Sequence, residues 1–447
     1  MKKCILLGLL LSCFLGNSQN YYMATPQGFG AAATGGGNAT PVTVTTYTAF
    51  RTALNSTTAA NAVILVSGTI DCSYTSVTLN NKTIIGLPGA RLRNTQITVG
   101  NSTTSANNSG IINIKPGSNN VIIRNLIFEG PGAYDVDGRD NLTADGCTNL
   151  WVDHCEFQDG IDGNFDNKGL TDNVTISWCK FTYLKAPIAG GSGGSADHRF
   201  SNLVGSAASD FPTDGRYSIT FQNCYWAAGC RDRMPRVRNG QIHLVSCYYN
   251  SGLSSARAIG LGGGNQGTTC YVENTSFVNV SNVYTAYPAD GGTVAINYSN
   301  CLNLGSAANI GTVPLPAYTT TPIPVGQVAA FLTDATCGAG ATLQVTSAGV
   351  VSPSSCTLAT TDFETEKILT FYPTVVEDTL KIAFSDKGFG KCGITIFSVT
   401  GQKVFELSKN INAGDLLELN LENLSKGTYI GKVEMNGKTE NLRFIKN

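Results

Sequence analysis

From about residue 110, apolar and polar residues alternate in short runs, each ending at a small polar or cysteine position with an aromatic residue two places further on. The runs are 120–128, 149–157, 173–181, 218–226, 241–249 and 269–277. Alternation with a period of two is the signature of a strand, and each run closes on a tight turn. Equivalent cysteines lie 24 residues apart (Cys155 to Cys179), then 45 (to Cys224), then 23 (to Cys247). A period in the twenties with one interval of double length marks a solenoid in which one coil carries an insertion or lacks the signature. Strands that pair coil on coil make a parallel β-helix. Cys155, Cys179, Cys224 and Cys247 should then stack inside it as free thiols, buried as small apolar groups. A β-sandwich with irregular strands is the competing architecture, and the constant aromatic offset disfavours it.

Residues 190–215, rich in Gly and Ser, read as an insertion between coils. The pattern stops near 337–366, where Cys337 and Cys356 could pair and tie down the last segment. From residue 368 short alternating strands with turn glycines and more frequent lysines predict a second, smaller β-sandwich. The expected organisation is all-β: 1–18 a leader, 19–357 the solenoid, 358–367 a linker and 368–447 the sandwich.

Composition narrows the function. The chain has 447 residues and a formal net charge of -1, which gives no support for nucleic-acid binding. Two lysines, an apolar run and small residues open the chain, as in a secretory signal peptide cut near Ser18, so the protein is expected to be exported. No later stretch approaches the roughly 18–20 apolar residues of a membrane span. His154, His198 and His243 are the only histidines, none at zinc-finger spacing to a cysteine, which argues against a zinc site.

The chemistry concentrates in two places. Arg231, Arg233, Arg236 and Arg238 surround Pro235. Guanidinium groups keep their charge, so such a cluster repels itself unless an anion is near. That anion is either an internal counterion or a ligand, and the stiff segment around Pro235 would present Arg233 and Arg238 to a polyanion. Asp140 lies about one coil before Asp162 and Asp166 in sequence. Adjacent strands sit about 4.8 Å apart, so these carboxylates should meet on one outer face, with Lys185 and the arginines further along. Such a cluster can serve acid–base work, a glycosidase pair, a hard cation or nothing beyond solvated turns. Carboxylates and arginines on one groove favour Ca²⁺ bridging to an acidic ligand.

These residues carry a family resemblance. The GlyPheGlyAlaAlaAlaThrGlyGlyGly opening, TrpValAspHisCysGluPhe, AspAsnLysGlyLeuThrAspAsnValThrIleSerTrp and ArgMetProArgValArgAsnGlyGlnIleHis make residues 20 to about 357 resemble a pectate lyase of polysaccharide lyase family 1. TyrProThr, ValThrGlyGln and LysGlyThrTyr make residues 368–447 resemble the sorting domain of type IX secretion. The first resemblance implies a right-handed parallel β-helix and calcium-dependent β-elimination on polygalacturonate, by a monomer exported through the type IX machinery to the medium or the cell surface. It implies Asp140, Asp162 and Asp166 as calcium ligands, Arg233 as the base that takes the C5 proton, and Lys185 and Arg238 as binders of substrate carboxylates. An arginine base implies activity rising toward alkaline pH. Gly138 departs from the family, standing where many members carry a further calcium aspartate, with Asp137 beside it. Cysteine replaces an asparagine ladder in the interior. The three aspartates argue against the calcium-free pectin lyase branch, and a non-catalytic polysaccharide-binding β-helix is the reading from another class.

Overall fold

A computed structural model describes residues 21–96, 109–355, 369–385, 388–435 and 438–447. The expected leader, linker and Cys356 lie outside these residues. Cys337 is disulfide-bonded. The chain divides into two compact units, residues 1–356 and 357–447.

The first unit is the expected parallel β-helix. Each coil contributes one strand to each of three sheets, visited in the same order. A ten-stranded sheet runs from Val42–Val44 to Val294–Ser299, and the two others hold eight strands each. One of these, here the aromatic sheet, runs from Thr69–Asp71 to Ser276–Val278; the other, the site sheet, runs from Thr75–Val77 to Asn282–Ala286. All pairs within the three sheets are parallel, so position i of one coil lies on its equivalent in the next, as Phe157 lies on Phe128 and Phe181. The doubled interval belongs to a coil that carries insertions on both sides of its site-sheet strand Leu203–Val204, and the signature is not lost.

Register turns the sequence offsets into ladders. Phe128, Phe157, Phe181, Trp226, Tyr249 and Phe277 form one column with stacked rings, centroids 4.9, 5.3, 5.5, 4.5 and 4.7 Å apart. Each fully buried ring contributes about 1.5–3 kcal/mol of hydrophobic stabilisation. Cys155, Cys179, Cys224 and Cys247 are free and buried as expected. Each thiol donates to a carbonyl of the preceding coil: Ile123, Val152, Ile176 and Phe221. The ladder therefore satisfies its weak donors without disulfides.

Helix Tyr47–Asn55 closes the first end of the solenoid, burying Phe50, Ala53 and Leu54 against the core. Helix Val325–Thr333 packs against strands Tyr248–Asn250 and Ser276–Val278 of the aromatic sheet, with Val328 and Leu332 in a cluster that includes Trp151, Trp178 and Tyr248. No helix among the described residues is long and apolar enough to cross a membrane. The second unit has a three-stranded and a five-stranded sheet around its own core of Leu380, Ile382, Ile394, Ile396, Val433 and Phe444. Its pairing is antiparallel except where Val375–Val376 meets Lys438–Lys446.

Candidate active site

Four loops run from the aromatic sheet into the site sheet in successive coils: residues 130–141, 159–164, 183–202 and 227–235. Because the coils are in register, these loops stack on one edge, and they carry almost all of the chemistry read from the sequence. Asp140 lies near the end of the first loop, two residues before strand Leu142–Ala144. Asp162 lies in the second. Asp166 sits inside strand Phe165–Asn167, opposite Thr143 of the coil before. Phe165 and Asn167 are fully buried on either side of it. Strand alternation therefore turns Asp166 outward.

Asp140 and Asp166 face one another across Gly163. A Cβ on Gly163 would lie 2.5 Å from Asp140 Oδ1 and 3.4 Å from Asp166 Oδ1, so only glycine leaves the cradle open. Both carboxylates are buried, 5% exposed. Burial pushes the Asp166 pKa well above the ordinary carboxylate value, and the Asp140 charge adds to it. Burial likewise raises Asp140, helped by the charge of Asp162 and opposed chiefly by Lys168. Asp162 accepts a hydrogen bond from His198 Nδ1 or shares one with it, at 2.9 Å from Oδ1. Among the described residues, no group of three or more His, Cys, Asp or Glu side chains is drawn together tightly enough to hold a metal ion as it stands. The donor set nevertheless suits a hard cation: two buried, mutually repelling carboxylates around a cradle, with the second oxygen of Asp162 on the same edge.

Gly138, the departure from the family pattern, has a packing reason: a Cβ there would meet Ile161 Cγ2 at 2.8 Å. Asp137 is exposed beside it.

The four arginines part company. Arg231 pairs with Asp197 at 3.7 Å, while Arg236 and Arg238 share Asp290, at 2.9 and 3.0 Å. Arg238 also donates to the carbonyl of Gly205. Each of these three has an internal carboxylate partner. Arg233 has no carboxylate within 4 Å among the described residues, and its charge acts on both Asp140 and Asp166. Its backbone is left-handed, φ 57°, an uncommon conformation for a non-glycine residue and one that concentrates at functional sites.

Lys185 stands on the third loop, where Nζ donates to the Gly130 carbonyl at 3.0 Å and lies 3.9 Å from both Glu129 and Asp159. The lysine beside the acid pair is Lys168, 3.9 Å from Asp140 Oδ2. Burial opposes its charge, but Asp140, Asp166 and Asp145 outweigh burial and hold its pKa above the usual lysine value. Lys168 follows Asp166 by two positions, so the parity of the strand could have placed it on the same face.

A family model for pectate lyase matches residues 2–325. The chain belongs to the pectate lyase family. A second family model, a secretion system C-terminal sorting domain, matches residues 370–447. A pectate trisaccharide-lyase of Thermotoga sp. (strain RQ2) is 34% identical over 202 residues, which is 43% of this chain and 46% of the relative. A pectate lyase of Bacillus subtilis (strain 168) is 31% identical over 190 residues, 35% of this chain and 41% of the relative. The chain thus spans about half the length of the curated relatives it matches. Among solved structures, a pectate lyase from Paenibacillus sp. 0602 superposes with a TM-score of 0.53 at 18% identity, covering 71% of this chain and 96% of that one. One from Bacillus sp. N165, in complex with trigalacturonate, gives 0.50 at 21%, covering 68% and 96%. At these identities the superpositions show that this member of the pectate lyase family shares their fold.

Proposed function

We propose that the chain is a calcium-dependent pectate lyase that cleaves α-1,4-linked polygalacturonate by β-elimination, leaving 4,5-unsaturated oligogalacturonides. The observation that carries this reading is the placing of Arg233, an arginine without a carboxylate partner among the described residues, near the buried acid pair Asp140 and Asp166. Asp140, Asp166 and the free oxygen of Asp162 would hold the calcium ion. When bound, that ion supplies positive charge that neutralises a uronate carboxylate and makes the neighbouring C5 proton more acidic.

The protein's own groups do the rest. Arg233 stands beside the acid pair as the group that takes the C5 proton. The electrons of the C5–H bond become the C4–C5 double bond as the C4–O bond to the leaving sugar breaks, and solvent protonates the departing oxygen. A guanidinium ordinarily keeps its proton, so the rate should rise toward alkaline pH. Lys168 adds positive charge next to Asp140, and Lys185 and Arg238 extend the cationic edge along which substrate carboxylates lie. The C-terminal unit directs export through the type IX secretion machinery to the medium or the cell surface, and the lyase acts as a monomer.

Ultraviolet absorbance of the unsaturated uronide during incubation with polygalacturonate tests the proposal. A calcium-dependent rise that falls by about 10²–10⁴-fold in Arg233→Lys is expected of a lost general base. A folded chain that binds the polymer yet forms no unsaturated product, at any alkaline pH with calcium, is a binding module.

A further inference from the structure

Arg233 raises a question that its neighbours do not. Arg231, Arg236 and Arg238 are each fixed by a carboxylate, yet Arg233, placed to act on substrate, has none among the described residues. Its guanidinium carbon lies instead 4.1 Å from the centroid of the Phe200 ring. An aromatic face attracts a guanidinium through its quadrupole and fixes the plane of the group, without the counter-charge that would hold the proton on it.

Phe200 is built as a fixed platform. It is 6% exposed, and its backbone forms a parallel bridge with Asp232, the residue before Arg233. The Asn202 amide donates to the Arg233 carbonyl at 2.6 Å, so the segments carrying ring and guanidinium are tied to one another. Tyr183 donates its hydroxyl to the Phe200 carbonyl, and the His198 ring rests against Phe200 with centroids 4.8 Å apart. His198 in turn meets Asp162 at 2.9 Å. One three-residue stretch thus touches both the proposed base and a proposed calcium ligand.

We infer that Phe200 is the positioning residue of Arg233, holding the guanidinium plane toward the Asp140 and Asp166 cradle by its ring face alone. The inference rests on the lyase reading. Phe200 touches no reacting atom; it acts through Arg233.

The test compares the full-length chain with Phe200→Leu and Phe200→Tyr, measuring unsaturated product from polygalacturonate at saturating calcium and thermal unfolding of each protein. Phe200→Leu keeps an apolar side chain but removes the ring, and kcat is expected to fall about 10²-fold, the scale of a misplaced catalytic group, with KM unchanged. Phe200→Tyr keeps the face and should recover most of kcat. If Phe200→Leu does not fold, Phe200→Met makes the same comparison with a more adaptable side chain. A folded ringless variant with wild-type kcat, or a kcat loss that Tyr does not rescue, overturns the positioning role while leaving the lyase reading intact. A wild-type chain that makes no unsaturated product overturns the lyase reading itself, and the positioning role with it.

Discussion

Two buried carboxylate sites on this solenoid are built to opposite ends. On the outer face of the ten-stranded sheet, Asp153 is fully buried, paired with Arg124 at 2.7 Å and bonded to Ser177 and His154. Arg124 is itself stacked over Trp151 at 4.4 Å and donates to the Met23 carbonyl. At the site edge, Asp140 and Asp166 are as deeply placed but face each other. Burial raises both pKa values in principle. At Asp153 the charges of His154 and Arg124 and the hydrogen bonds outweigh it, and the pKa falls below the ordinary value. At Asp166 the neighbouring charge adds to burial, and the pKa rises well above it. A buried carboxylate whose charge is met by close cationic partners is structure; a buried pair held only by the Thr143 hydroxyl, the Leu203 amide and a more distant Lys168 is, on the lyase reading, the place for a cation.

The comparison can be broken most forcefully at Arg124. Arg124→Met leaves buried Asp153 without its guanidinium partner, which costs about 3–5 kcal/mol. Denaturant unfolding should show that loss with or without calcium. Asp166→Asn should do the reverse in chelator: it removes one of two repelling charges, so metal-free stability should hold or rise by about 1 kcal/mol, within the range of ordinary substitutions. Calcium should then stabilise the wild type and not the variant, because a ligand that binds only the native state raises its stability by mass action.

The pH dependence has opposite signs at the two sites. Asp153, depressed in the folded state, contributes stability that is present above the ordinary carboxylate value and is lost as pH falls through its folded value. Asp140 and Asp166, raised in the folded state, contribute stability below the ordinary value that is lost as pH rises through their folded values. Thermal unfolding of the chelated protein should therefore weaken as pH rises above the usual carboxylate range. Asp166→Asn should flatten that decline, and calcium should cancel it. The thiol ladder supplies a separate test. Cys179→Ser keeps a donor for the Val152 carbonyl but buries a more polar hydroxyl, at about 1–3 kcal/mol if its other valences go unmet.

The solenoid was legible because its signal is periodic: one offset between cysteine and aromatic, repeated in four successive coils, fixes both the strand parity and the stacking of Phe157, Phe181 and Trp226. That Asp140 would come close to Asp166 was legible for the same reason, since the two are about one coil apart. What periodicity could not carry were contacts made by inserted or distant segments. Asp290, the counterion of Arg236 and Arg238, comes from a short turn 54 residues after Arg236. No spacing rule links the two, so Arg238 looked as free as Arg233. Phe200 lies in the inserted loop, where the repeat gives no register. Lys168 was within reach, since it follows Asp166 at strand parity, but the motif drew attention to Lys185.

Calcium titration calorimetry of the chelator-treated full chain, beside Arg124→Met and Asp166→Asn, tests the central contrast most directly. The account predicts one calcium site in the wild type, the same site in folded Arg124→Met, and none in Asp166→Asn. Equal calcium binding by wild type and Asp166→Asn would contradict it, since the acid pair would then hold no cation.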